Sequence, residues 1–129
     1  MMDAAEERNG PAGLRVLMVE DEMMLAMSLE DLLGMIDCEV VKASRLNQAL
    51  ALARTEPIDG ALLDVNLAGD RVYAVADELD RRGIPFAFMT GYSASDLRPE
   101  WQDRPVLQKP FLLEDLQKVM SGFGAQGSA

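Results

Sequence analysis

Short apolar runs alternate along this chain with longer stretches in which apolar residues recur every three or four positions. Leu14-Arg15-Val16-Leu17-Met18-Val19 is the first run, and it passes directly into Glu20-Asp21-Glu22. A short apolar run closed by polar residues predicts a buried strand, and the three-and-four spacing predicts an amphipathic helix. Leu25, Leu29, Leu32, Leu33 and Ile36 give a first helix, with Gly34 near its end as a stop signal. Residues 38–43 read as a second strand, and Ser44 as the N-cap of a helix carrying Leu46, Ala49, Leu50 and Ala53. Pro57 and Gly60 bracket the entry to a third strand, Ala61-Leu62-Leu63-Asp64, and a turn-prone Asn66-Leu67-Ala68-Gly69-Asp70 follows it. Val72, Val75, Ala76 and Leu79 predict a third helix ended by Gly83. Residues 85–89 form a fourth strand stopping at Thr90-Gly91-Tyr92, and Val106-Leu107-Gln108 a short fifth. Leu112, Leu116, Val119, Met120 and Phe123 are the stripe of a closing helix.

Strands alternating with helices predict an α/β fold of five βα units, a parallel sheet with helices on both faces. Right-handed crossovers favour a doubly wound, flavodoxin-like strand order 2-1-3-4-5. Between residues 93 and 104 only Leu97 and Trp101 are strongly apolar and Pro99 falls mid-segment, so the fourth helix is expected to be short or irregular. Residues 1–13 are polar and end in Gly10-Pro11-Ala12-Gly13, which reads as a disordered tail. One domain is expected over 14–123, with 124–129 a flexible C-terminal tail.

The net charge of −10 argues against direct binding to nucleic acid or an anionic membrane. The absence of histidine removes His-ligated zinc, a Ser/His/Asp triad and an internal phosphohistidine. The one cysteine, Cys38, leaves no intrachain disulfide and reads as a small buried apolar residue. No run has the length of a transmembrane helix and the N-terminus lacks the apolar core of a signal peptide, so a cytoplasmic location is expected.

In the predicted sheet the first and third strands are neighbours, so Glu20, Asp21 and Asp64 would meet at the rim of carboxyl ends where such sheets bind ligands. Carboxylates about 5 Å apart repel by roughly 3 kcal/mol per pair at an effective dielectric of 20. A wet site, a bound proton or a cation relieves that repulsion. All-oxygen donors suit a hard ion such as Mg²⁺, and the plain alternative is a solvated acidic rim. Thr90 and Lys109 end the fourth and fifth strands and reach the same rim. A hydroxyl and an ammonium are the groups that spread the charge of a phosphoryl group, with Asp64 as nucleophile forming an acyl phosphate.

Glu20-Asp21, Asp64, Thr90 and Lys109-Pro110-Phe111, in this order and spacing, resemble the signature of receiver domains from two-component response regulators. The resemblance covers residue 14 to about residue 123. It implies that Asp64 accepts a phosphoryl group from the phosphohistidine of a histidine kinase or a histidine phosphotransfer protein. It implies that Glu20 and Asp21 hold Mg²⁺ together with Asp64 and the backbone carbonyl of Asn66. It further implies that Thr90 and Lys109 contact the phosphoryl oxygens, with a cis peptide between Lys109 and Pro110. The chain is then expected to be a monomeric single-domain receiver, and no enzyme beyond intrinsic self-phosphorylation and autodephosphorylation. Its output would be contact with a downstream protein or shuttling and draining of phosphoryl groups among kinases.

Pro85-Phe86-Ala87-Phe88-Met89-Thr90-Gly91-Tyr92 is similar to the Phe-Ala-Thr-Gly-Tyr motif of the FAT GUY receivers, with Met89 in place of its Ala. Receivers usually carry a Tyr or Phe three positions before the lysine, and here that position is Val106. Tyr92 is therefore expected to act as the switch, with phosphorylation ordering a poorly packed segment over residues 92–104. Two alternatives stay open at this point. One is a pseudo-receiver that binds partners without phosphorylation. The other is a haloacid-dehalogenase-like phosphohydrolase, which wants a second Asp where this chain has Asn66 and an acidic pair after the lysine rather than before it.

Overall fold

A computed structural model describes residues 13–67, 70–91, 97–109 and 111–127. Strands β1 (Arg15–Val19), β2 (Glu39–Ala43), β3 (Gly60–Asp64), β6 (Phe86–Thr90) and β7 (Val106–Gln108) form one parallel sheet in the order β2-β1-β3-β6-β7. This is the expected 2-1-3-4-5 order. The numbering differs because two short strands, β4 (Asn66–Leu67) and β5 (Asp70–Arg71), pair with each other as a separate antiparallel ribbon. The sequence read as a bare turn there. Among the described residues four α-helices pack on the sheet: α1 (Met23–Met35), α2 (Leu46–Thr55), α3 (Tyr73–Arg81) and α4 (Leu113–Gly127).

Alternation along each strand divides the core in two. Leu17, Val19, Ala61, Leu63, Phe86 and Phe88 face one layer with Ala49, Ala53, Val75, Ala76 and Leu79 of α2 and α3. Val16, Met18, Leu62, Ala87, Met89 and Leu107 face the other, with Leu29 and Leu33 of α1 and Leu116, Met120 and Phe123 of α4. Strands buried on both faces read as near-continuous apolar runs, which is why β3 and β6 stood out in the sequence. Gly60 lets α4 close on β3. A Cβ there would meet Cδ2 of Phe123 at 2.3 Å, so the ring occupies the space a side chain would take.

Local signals were less reliable. Ser44 does not cap α2: Arg45 holds that position without a side-chain bond, and the Ser44 N–H donates to Gln48 Oε1 at 3.1 Å. Leu112 precedes α4 and is exposed, so it is not part of the buried stripe. That helix itself runs on to Gly127, past the boundary at 123 that the stripe suggested. Cys38 is buried as expected, and burial followed by the charges of Asp37 and Asp59 pushes its thiol up to about 11. No helix among the described residues is long and apolar enough to cross a membrane.

The stretch before β7 carries only a 3₁₀ turn, Pro99–Trp101, among its described residues. An irregular fourth helix was expected, but a poorly packed one is not what residues 97–104 form. Leu97 and Trp101 are buried against Phe86 and Phe88, with the Phe86 and Trp101 ring centroids 5.6 Å apart. The Arg104 guanidinium lies over the Phe86 ring at 4.7 Å and pairs with Asp80 at 2.6 Å. The Arg98 N–H donates to the Tyr73 hydroxyl at 3.2 Å. Two apolar anchors, one of them the largest side chain available, suffice to hold a segment that otherwise reads as polar.

Candidate functional site

Parallel pairing of β1, β3, β6 and β7 brings four strand ends to one edge of the sheet. The chain leaving β1 is held by the Glu20 N–H donating to the Ala43 carbonyl at 3.0 Å, and the chain leaving β3 by Val65 N–H to Met89 carbonyl at 3.2 Å. Lys109 N–H donates to the Thr90 carbonyl at 2.8 Å, which fixes the fifth strand end beside the fourth. Glu20, Thr90, Lys109 and the residue after Asp64 therefore sit on backbone held by hydrogen bonds to the neighbouring strand ends. Rigid elements of this kind hold a constellation more precisely than free loops do.

Glu20, Asp21 and Asp64 meet as the sequence predicts: one carboxylate oxygen of each lies within 4.8 Å of the others. Their surroundings differ. Glu20 and Asp64 are buried and Asp21 is exposed. Glu22, the third member of the acidic run, does other work. Its carboxylate caps α1, accepting from the Met24 N–H at 2.7 Å and the Leu25 N–H at 3.3 Å.

The Lys109 ammonium donates to Glu20 Oε1 at 3.1 Å and lies 3.5 Å from Asp64 Oδ1. One cation thus serves two buried carboxylates and neutralises only one charge. The deficit appears at Asp64, whose pKa rises to about 7. Burial is the main cause and the Glu20 charge the next, with Lys109 pulling the other way.

Asp64 borders a cavity of about 620 Å³ lined also by Asn66, Arg71, Thr90, Leu97 and Lys109. Glu20 and Asp21 line a second hollow, of about 440 Å³, with Lys42, Ser44 and Gln48. Asp64 and Lys109 therefore belong both to the acidic cluster and to a cavity that also carries the Thr90 hydroxyl and the Arg71 guanidinium. Arg71 was missed by the sequence reading. Its signal lies in the pairing of Asn66 with Arg71 across the β4–β5 ribbon, which a turn assignment hides. The candidate switch Tyr92, and Pro110 of the proposed cis peptide, lie outside the described residues. Val106, at the position where an aromatic was missing, is half-buried and pairs with Phe88.

The family described as "Response regulator receiver domain" matches residues 16–121. None of the curated proteins compared with the chain is a match. Among solved structures, SdrG from Sphingomonas melonis Fr1 is 40% identical, with a TM-score of 0.76 over 86% of this chain and 96% of that one. The response regulator PhyR from Brucella abortus is 29% identical, with a TM-score of 0.73 over 92% of this chain and 50% of that one. The receiver domain of the sensor histidine kinase PA1611 from Pseudomonas aeruginosa, described with a magnesium ion coordinated in its active site cleft, is 22% identical. It shares the fold with a TM-score of 0.73 over 88% of this chain and 99% of that one.

Proposed function

This chain belongs to the response regulator receiver domains, and on that premise we propose that Asp64 accepts a phosphoryl group from a phosphohistidine on another protein. The observation that carries the reading is the convergence on Asp64. A carboxylate pair lies within 4.8 Å, an ammonium 3.5 Å away, and Asp64, Lys109 and Thr90 line one cavity. The donor histidine lies outside residues 1–129, which contain none.

The donor set fits Mg²⁺. It is all oxygen, it carries three negative charges against one close ammonium, and two of its carboxylates are already held apart from bulk water. Glu20, Asp21 and Asp64 would hold the ion, with the Asn66 carbonyl completing the protein ligands. When bound, Mg²⁺ would neutralise charge shared between the carboxylates and the phosphoryl oxygens. Asp64 supplies the nucleophilic oxygen, in its ionised form. Lys109, which pairs with Glu20 and Asp64 in the resting protein, exchanges those partners for a phosphoryl oxygen. Thr90 donates its hydroxyl to another phosphoryl oxygen from the end of β6.

The likeness to SdrG over nearly all of that chain supports an output made through protein contact or phosphoryl shuttling. Tyr92 is the residue proposed to couple Thr90 to that output, and the Phe86–Thr90 strand supports placing the chain with the FAT GUY receivers. Uptake of a phosphoryl group from acetyl phosphate with Mg²⁺, lost in Asp64→Asn, is the test. A parent protein that takes up none is a pseudo-receiver.

A further inference from the structure

The ribbon after Asp64 places a cation where the sequence showed a turn. Asn66 and Arg71 are directly opposed cross-strand partners, so their side chains leave the ribbon on one face. Both line the 620 Å³ cavity with Asp64, Thr90 and Lys109. Leu67 and Val72 are buried on the core side, and the Val72 N–H donates to the Val65 carbonyl at 3.1 Å. The backbone that carries Arg71 is therefore anchored although its side chain is exposed.

Charge accounting sets Arg71 apart from Lys109. Lys109 is engaged by Glu20 and Asp64. Among the described residues, Arg71 is the cation lining this cavity that pairs with no carboxylate. The cavity has the volume of about twenty water molecules at roughly 30 Å³ each. A phosphoryl group fills a fraction of that, which leaves room for the group it departs from.

Resting on the reading of Asp64 as phosphoryl acceptor, we propose that Arg71 contacts the phosphoryl donor and selects small acyl phosphates by binding their anionic leaving group. In the transfer an Asp64 carboxylate oxygen forms the new bond to phosphorus. The bond from phosphorus to the acyl oxygen breaks, its electron pair leaves with the carboxylate, and no proton moves. Negative charge therefore grows on the departing oxygen, and a guanidinium matches a carboxylate through two parallel N–H donors. Phosphoramidate breaks a phosphorus–nitrogen bond instead. Its nitrogen departs as neutral ammonia, so the same guanidinium has no anion to hold.

The test compares the parent with Arg71→Met and Arg71→Lys under saturating Mg²⁺. Initial rates of Asp64 phosphorylation are followed against acetyl phosphate and against phosphoramidate concentration. Arg71→Met should lose about tenfold in the slope for acetyl phosphate and less than about twofold for phosphoramidate, the scale of one exposed charge-assisted hydrogen bond. Arg71→Lys should recover most of the acetyl phosphate slope. The melting temperature, with and without Mg²⁺, should match the parent in both variants. An equal loss with both donors, or no loss with either, overturns the proposal. A parent inert towards both donors overturns the receiver reading beneath it, and this proposal with it.

Discussion

Replacing Asp64 by Asn should stabilise the metal-free protein, and by an amount that depends on pH. The Asp64 carboxyl titrates at about 7 in the fold against an ordinary value of 3.8, because it is buried and faces Glu20 with only Lys109 to share. Between those values the folded protein holds a proton that the unfolded chain has released. Stability therefore falls as pH rises from about 4 to 7 and stays low above that, the reverse of a salt-bridged carboxylate. Three pH units at about 1.4 kcal/mol each give a fall of about 4 kcal/mol as an upper bound. Asparagine keeps the shape and does not ionise, so the variant escapes the fall. Urea unfolding in excess chelator should find Asp64→Asn more stable than the parent at pH 8 by up to about 4 kcal/mol, narrowing to less than about 2 kcal/mol at pH 5. A difference independent of pH, or a variant no more stable than the parent at pH 8, would refute the reasoning.

Mg²⁺ should act in the opposite direction on the parent. At a hundredfold excess over its dissociation constant it adds about 2.7 kcal/mol, visible as a rise in melting temperature that Asp64→Asn largely loses. Asp21→Asn should weaken Mg²⁺ binding in a calorimetric titration while moving metal-free stability by less than about 0.5 kcal/mol, because Asp21 is exposed. Lys109→Met leaves the buried Glu20 without its ammonium and should cost about 2 kcal/mol at pH 8 by urea unfolding, a figure reduced for the partial exposure of Lys109. Gly60→Ala forces the Phe123 ring aside and should cost about 1–3 kcal/mol, part of which Phe123→Leu in the same chain restores.

The sheet was legible because its strands are buried on both faces. Gly60–Asp64 and Phe86–Thr90 are almost wholly apolar up to a polar last residue, and Val16 to Val19 runs into Glu20 in the same way. The same property exposed the site, since Asp64, Thr90 and Lys109 stand where apolar runs stop. What escaped depends on contacts between residues distant in sequence. Trp101 and Leu97 look isolated along the chain, yet Phe86 and Phe88 of a neighbouring strand provide the surface that holds them. Arg71 looks like the end of a turn until its pairing with Asn66 turns it towards the cavity. Ser44 is a good cap by type, and Gln48 reaching back to its N–H took its place in the hydrogen-bond pattern. The unequal burial of Glu20 and Asp21, adjacent in sequence, follows from the chain turning out of β1 and had no sequence signal.

The central claim is that Asp64 alone takes up the phosphoryl group. Incubation with acetyl phosphate and Mg²⁺, followed by Phos-tag electrophoresis and intact mass, tests it directly. The account predicts the mass of one phosphoryl group on the parent, none with chelator present, and none on Asp64→Asn whose fold is intact by circular dichroism. Full uptake by Asp64→Asn, or uptake by the parent that is indifferent to Mg²⁺, would contradict it.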